Sequence, residues 1–263
     1  MQTIELTKTL LQESKNKIVD ILKRRYSSNL NKDLSQAVNE LNEQGFSVMP
    51  NFLNELECNE IIAWINEVTQ TNNEIWRDAL DSDNRIYFSD KANKHINSFF
   101  NHELISKILS SYEKTDKYNG FTLANKVTYK ENNQGSGGGW HRDYVKRKQT
   151  KAILYLNNVE SSTGPFQYLK GSHQFGSILK YQKDYGFKYN QYRFTNSEID
   201  EIIKQDPLIL KEFTGAAGML LLVDTRGIHR GKPIEGGVRY ALTNYYWFNS
   251  SIPSHIKQLD PFK

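Results

Sequence analysis

One cysteine, Cys58, stands in 263 residues, so no intrachain disulfide can form and nothing argues for an oxidising compartment. It lies in an amphipathic helical stretch and reads as a small core residue. No segment approaches the roughly 18 consecutive apolar residues of a membrane span, and Met1–Thr7 shows no basic region followed by an apolar one. The expectation is a cytoplasmic protein without a membrane span. Charge of one sign is also scarce: 34 Lys+Arg against 30 Asp+Glu leave a formal charge of +4, too small to argue for nucleic acid. Internal repeats and low-complexity segments are absent. What the chain does hold is aromatic material, with 15 Tyr, 13 Phe and 4 Trp and a hydrophobic content of 38%, enough for a sizeable core. At this length a β domain of the jelly-roll type fits as a single unit.

The glycine run Gly135, Gly137, Gly138, Gly139 lacks the Lys-Ser/Thr and the following helix of a phosphate-binding loop. Its better role is to let backbone approach closely, and it leads directly into Trp140-His141-Arg142-Asp143. In extended chain, His141 and Asp143 point to the same side and can reach one point in space. Such a pair alone is commonplace on a solvated strand face. The case grows because His229 comes after the apolar run Met219–Val223, which reads as a buried strand, and precedes Gly231 and Pro233. Two imidazoles and one carboxylate form the set that leaves coordination positions open on non-haem Fe(II). Further on, Arg239 sits inside Val238–Phe248, a segment rich in aromatic and β-branched residues that reads as a strand. It either reaches solvent from an edge or meets a carboxylate with its bidentate fork.

With His141-x-Asp143, Gly164-Pro165 followed by Gly171-Ser172-His173, and His229-Arg230-Gly231 with Arg239 downstream, the sequence resembles the phytanoyl-CoA dioxygenase branch of the Fe(II)/2-oxoglutarate-dependent oxygenases. The likeness covers roughly residues 120 to 248, and more faintly Leu41–Leu53. It implies a double-stranded β-helix (jelly-roll, cupin-like) core that is mainly β with flanking helices, and Fe(II) on His141, Asp143 and His229. It also implies 2-oxoglutarate gripped by Arg239, with O2 as co-reactant and succinate and CO2 as products. Thr128 and Tyr155 are further candidates for the cosubstrate. Two positions depart from the pattern: Lys170 stands where members often carry proline, and Ala241 where many related oxygenases have serine. The second leaves one hydrogen bond to the cosubstrate unassigned. Asp143 favours hydroxylation over halogenation, because related halogenases carry a small residue there.

Along the chain, residues 3 to 24 read as a helix, as do Leu34–Asn42, ending before Gly45, and a third helix capped by Asn54. Phe46–Met49 reads as a short strand. One domain is expected over 1–263, a helical part of about 1–115 packed on a β core of about 120–250. Thr69–Phe100 has no clear periodicity and is assigned part of the substrate pocket. Phe175–Glu201, with its aromatic residues among lysines, is either a lid or a packed surface helix. His95, His102, His173 and His255 lack ligand spacing. Lys146-Arg147-Lys148, with Arg142 and Lys151, is either a solvated loop or a device that draws a negative group toward the metal. On the second reading Arg142, Lys146 and Lys148 contact the substrate.

The reading is an Fe(II)- and 2-oxoglutarate-dependent hydroxylase of a small, anionic metabolite. Its rivals are a Zn-dependent hydrolase on the same ligands and a non-catalytic metal- or partner-binding module.

Overall fold

The structure is a computed structural model that describes residues 32–145 and 148–263; the helix expected over residues 3 to 24 lies outside them. Ten strands are described: β1 (Phe46–Met49), β2 (Trp76–Arg77), β3 (Asp83–Ile86), β4 (Tyr118–Thr128), β5 (Thr150–Tyr155), β6 (Phe166–Leu169), β7 (Leu210–Phe213), β8 (Leu220–Asp224), β9 (His229–Gly231) and β10 (Val238–Phe248). They form a seven-stranded sheet in the order β1-β8-β5-β10-β4-β3-β2 and a three-stranded sheet in the order β7-β6-β9, with every pairing antiparallel. The two sheets share an apolar filling in which Phe46, Ile153, Tyr155, Leu221 and Ala241 of the larger meet Phe166, Tyr168 and Phe213 of the smaller. This is a double-stranded β-helix with flanking helices.

The period of two along each strand divides the larger sheet into two chemistries. On β10 the even positions Tyr240, Leu242 and Tyr246 join Leu154 and Leu222 in the core that faces the helices. Helices α1 (Lys32–Glu43), α2 (Glu55–Thr71), α3 (Lys94–Phe100) and α4 (Glu103–Glu113) cover that side with Leu41, Ile61, Ile65, Ile96 and Ile108, all fully buried. The odd positions Arg239, Ala241, Thr243 and Tyr245 face the other way, into a cavity. Asn54 does cap α2, accepting from Glu57 N–H at 2.9 Å, and Cys58 is buried on that helix.

The segment before residue 115 does more than pack helices on a core. It supplies β1 at one edge of the large sheet and β2 and β3 at the other. β3 gave no strand signal because Asp83 and Arg85 point into the cavity, so its inward face is charged and hydrophobic alternation is lost. Between β6 and β7, α5 (Phe175–Tyr185), α6 (Asn196–Gln205) and the segment joining them bury Tyr181, Phe187, Phe194, Ile199 and Ile202 against Trp140 and Ile228. Of the two readings of this insertion, the packed helix describes its body.

One buried knot fixes the turn that leads into His229. Asp224, at zero exposure, takes the Arg226 guanidinium on both oxygens, Nε at 3.0 Å and Nη2 at 2.9 Å from Oδ2 and Nε at 3.2 Å from Oδ1. It also accepts the Tyr112 hydroxyl at 2.6 Å. The Asp224 carbonyl accepts from Tyr168 at 2.9 Å, and Ile228 N–H donates to Ser172 Oγ at 2.7 Å. That last bond gives the Gly171-Ser172-His173 turn a structural task. Burial opposes ionisation of Asp224, but the Arg226 charge outweighs it and holds the carboxyl below its usual range. Breaking a buried pair by removing one partner costs about 3 to 5 kcal/mol. Arg226→Ala should lower stability in urea denaturation by that order, and adding Asp224→Asn should recover part of it; a loss under about 1 kcal/mol would remove the pair as the strut of this turn.

Candidate metal centre and its cavity

His141 and His229 face each other as a directly hydrogen-bonded antiparallel pair, His141 N–H to His229 O at 2.9 Å and His229 N–H to His141 O at 2.8 Å. Two residues along, the chain bends at Asp143, whose N–H donates to Thr225 O at 2.9 Å, and the carboxylate emerges beside the imidazoles. The rings lie 4.2 Å apart between centroids. One ligand atom from each of His141, Asp143 and His229 can be chosen so that all three lie within 4.8 Å of one another.

Each imidazole is oriented by its own chain. His141 Nδ1 is 2.9 Å from Gly139 O and His229 Nδ1 is 2.9 Å from Gly227 O; a carbonyl can only accept, so Nδ1 carries the proton and Nε2 keeps its lone pair. Burial pulls both rings toward the neutral form, His141 below its usual value and His229, with His141 as a like neighbour, down to about 3. Burial works against ionisation of Asp143, but Lys151 and the two imidazoles outweigh it and hold the carboxyl well below the usual range. The set is two neutral nitrogen donors and one carboxylate, the ligand types of a divalent transition metal.

Close packing of the glycine loop is needed to place His141. Gly137 sits at φ +91°, and a Cβ there would lie 2.5 Å from His141 Cε1; at Gly135, φ +71°, a Cβ would lie 2.2 Å from the carbonyl oxygen of Gly231. The loop is held to β9 by Gly231 N–H donating to Ser136 O at 3.0 Å.

The cluster opens onto a cavity of about 630 Å³ between the sheets. Arg239 lies in its wall, 5% exposed, with Nη1 donating to Gly164 O and Nε buried without an acceptor. Tyr155 is also in the wall, but its hydroxyl donates to Phe213 O at 3.1 Å and accepts from Phe166 N–H at 2.8 Å, which leaves it no proton to give a ligand. Thr128 does not line the cavity. It has the opposite strand parity to Leu123 and Asn125, which do, and its expected contact with a cosubstrate is withdrawn.

The basic stretch after Asp143 divides differently from expectation. Arg142 faces away from the metal cluster, 2% exposed, its guanidinium over the Phe194 ring at 4.9 Å. Lys148 donates to Tyr112 O at 2.7 Å and lies over that ring at 3.9 Å. Neither lines the cavity, so neither is placed to contact a substrate there; Lys146 lies outside the described residues. Lys151 does enter, 2.6 Å from Asp143 Oδ2. Two further cations were missed. Arg85 pairs with Asp83, Nε to Oδ2 at 3.0 Å, and stacks on Trp76 at 4.6 Å. Arg193 crosses from the helical insertion and donates to Gly138 O at 3.0 Å and to Gly137 O. A lysine opening the otherwise apolar run Lys151–Leu156 was the available signal for Lys151; Arg85 and Arg193 had none.

The fold and cluster together are a double-stranded β-helix with a candidate metal site between its sheets. The phytanoyl-CoA dioxygenase (PhyH) family profile matches residues 41–239, and the chain belongs to that family. A comparison with curated protein sequences finds no match. Among solved structures it is similar to the epimerase SnoN in complex with Fe3+, alpha ketoglutarate and nogalamycin RO, at TM-score 0.64 and 14% identity, over 87% of this chain and 89% of that one. It is similar to SnoK, an alpha ketoglutarate dependent carbocyclase from nogalamycin biosynthesis, at TM-score 0.57 and 18% identity, over 88% and 91%. HygX from Streptomyces hygroscopicus, with nickel and 2-oxoglutarate bound, matches at TM-score 0.56 and 13% identity, over 84% and 88%. Among the described residues no helix is long and apolar enough to cross a membrane.

Gly137→Ala tests the packing account of the site. Its Cβ would meet the His141 ring from a backbone conformation that L side chains rarely adopt. Co(II) affinity measured by titration should fall by about an order of magnitude, as for loss of a group that orients a ligand, alongside a loss of stability of about 1 kcal/mol from alanine at positive φ. Unchanged affinity would mean that the loop does not set the ring.

Proposed function

We propose that this protein is an Fe(II)- and 2-oxoglutarate-dependent dioxygenase that hydroxylates a C–H bond of a small, anionic metabolite, with release of succinate and CO2. The observation that carries the reading is that His141, Asp143 and His229 open onto the same cavity as a buried arginine whose Nε has no acceptor. Both halves of the ligand set fit. The Nε2 atoms of two neutral imidazoles and an ionised carboxylate suit Fe(II), and the incomplete guanidinium suits a carboxylate from 2-oxoglutarate.

When bound, iron and 2-oxoglutarate together supply with O2 the oxidising equivalent that attacks the C–H bond. The chain's own tasks are orientation and exclusion of water. Gly139 and Gly227 carbonyls hold the imidazole tautomers. Arg239 anchors the distal carboxylate of 2-oxoglutarate, and Ile153, Phe166 and Ala241 wall off the surrounding space. Since Ala241 has no hydroxyl and that of Tyr155 is committed, Arg239 carries this contact without help from either. Tyr155 serves as wall. The outer cavity, with Trp76, Leu80, Leu123 and Tyr245, receives the substrate. Its negative group is suggested by the charge arrangement. Of the acids lining the cavity, Asp83 and Asp143 are each taken by a cation and Asp78 by Ser82 and the Asp83 N–H, whereas among the described residues Arg193 meets carbonyl oxygens and enters no ion pair. The similar structures include an epimerase and a carbocyclase, so the product decides the outcome.

The direct experiment is a screen of CoA thioesters, amino acids, sugars, sugar nucleotides and secondary metabolites for succinate release with Fe(II), 2-oxoglutarate and ascorbate, followed by mass analysis. A product that gains one oxygen supports hydroxylation; succinate formed with an isomerised or cyclised product contradicts it. His141→Ala, Asp143→Ala and His229→Ala should each abolish turnover with the fold retained by circular dichroism, and turnover in all three would sink the ligand assignment. Arg239→Ala should raise the 2-oxoglutarate KM at least about tenfold, since loss of one partner of a buried charge pair costs about 2 to 5 kcal/mol, and lysine should rescue it only in part. With the substrate found, Arg193→Gln should lower kcat/KM and leave kcat nearly unchanged; a substrate indifferent to it is not held by this charge.

A further inference from the structure

The two oxygens of Asp143 have different company. Oδ1 faces the imidazoles, 3.7 Å from His141 Nε2, while Oδ2 lies 2.6 Å from Lys151 Nζ. Oδ2 makes no hydrogen bond of good geometry, so it is the charge of the ammonium, more than direction, that holds the contact. Lys151 has little freedom to leave. β5 runs between β8 and β10, its neighbour Ala152 is packed into the helix-side core, and the ammonium lies over the Tyr245 ring at 4.3 Å. Of the two other acids lining the cavity, Asp83 is engaged by Arg85 and by Asn125, and Asp78 by the Ser82 N–H and hydroxyl.

We propose that Lys151 is a positioning residue that restricts Asp143 to one oxygen donor toward the metal and so keeps coordination positions free for the keto acid. The inference rests on the proposed metal site. A carboxylate can bind a metal through one oxygen or both, and only the first leaves a triad site with its full set of open positions. With an ammonium against Oδ2, turning that oxygen to the metal would strip a buried cation of its partner. Lys151 thus acts through Asp143, and its own contact with substrate is not required.

The test uses Co(II) as the probe, first alone and then with 2-oxoglutarate, on wild type, Lys151→Met, Lys151→Gln and Lys151→Arg. Lys151→Met should bind Co(II) at least as tightly as wild type, with a changed visible absorption spectrum that reports a changed coordination number. Its affinity for 2-oxoglutarate in the Co(II)-loaded state should fall by about tenfold or more, the usual scale for groups behind a ligand. Lys151→Arg, which keeps a charge at Oδ2, should restore both. A residue that merely fills the strand would move neither. Where Lys151→Met does not fold, Lys151→Gln, neutral and able to donate, is measured in the same way. Unchanged spectrum and 2-oxoglutarate affinity in the neutral variants, with Asp143→Ala unable to bind Co(II), would overturn this inference and leave the metal site standing. Asp143→Ala that binds Co(II) like wild type would overturn the metal site and the inference with it.

Discussion

Two backbone hydrogen bonds between His141 and His229 are the constraint on which the rest depends. They join a segment next to the glycine loop to one that leaves a buried strand, far apart in sequence, and fix the imidazoles opposite each other. Cβ atoms on one face of extended chain recur every second residue; here the chain bends at Asp143, whose N–H bonds Thr225 O, and the carboxylate still reaches the same point. A slip of one residue in this pairing would turn His141 away from His229. The Asp224–Arg226–Tyr112 knot and the Gly137 contact with the His141 ring are the devices that hold each side of this register.

The same parity explains how the cavity comes to hold charge in the middle of a β protein. Lys151, Arg239 and Arg85 sit on strands whose other face is packed with aliphatic residues against helices. Burial there would be costly for a lone charge. Lys151 and Arg85 are balanced by Asp143 and Asp83, and Arg239 keeps an unsatisfied Nε. The first two pairs are self-contained; the third is complete only with an outside acceptor, and the distal carboxylate of 2-oxoglutarate is the acceptor we propose.

How much of this was legible in the sequence depends on which signals are local. β10 was read at its observed bounds, and Phe46–Met49 likewise, because each carries a dense run of strand-forming residues. His141, Asp143, His229 and Arg239 were legible through motif and order, and the structure brings them to one cavity. β3 was not legible, since its inward residues Asp83 and Arg85 are charged and the periodicity vanishes, and β2, only Trp76–Arg77, is too short to show a period. The charge of the basic stretch was legible but its direction was not: Arg142 and Lys148 turn to Phe194 and Tyr112, because strand parity and local packing decide where a long side chain goes. Thr128 failed on parity alone. Arg193 enters from an insertion whose path depends on tertiary packing of Tyr181, Phe187 and Phe194, and no local pattern announces it.

The central claim is that His141, Asp143 and His229 hold an iron with positions to spare for 2-oxoglutarate beside Arg239. It is tested most directly by anaerobic visible absorption spectroscopy of the purified protein titrated with Fe(II) and 2-oxoglutarate. Chelation of the keto acid by the iron should produce a charge-transfer band that needs both additions and disappears in His229→Ala. Binding of both additions shown by equilibrium dialysis, with no such band in the wild type, would contradict the account.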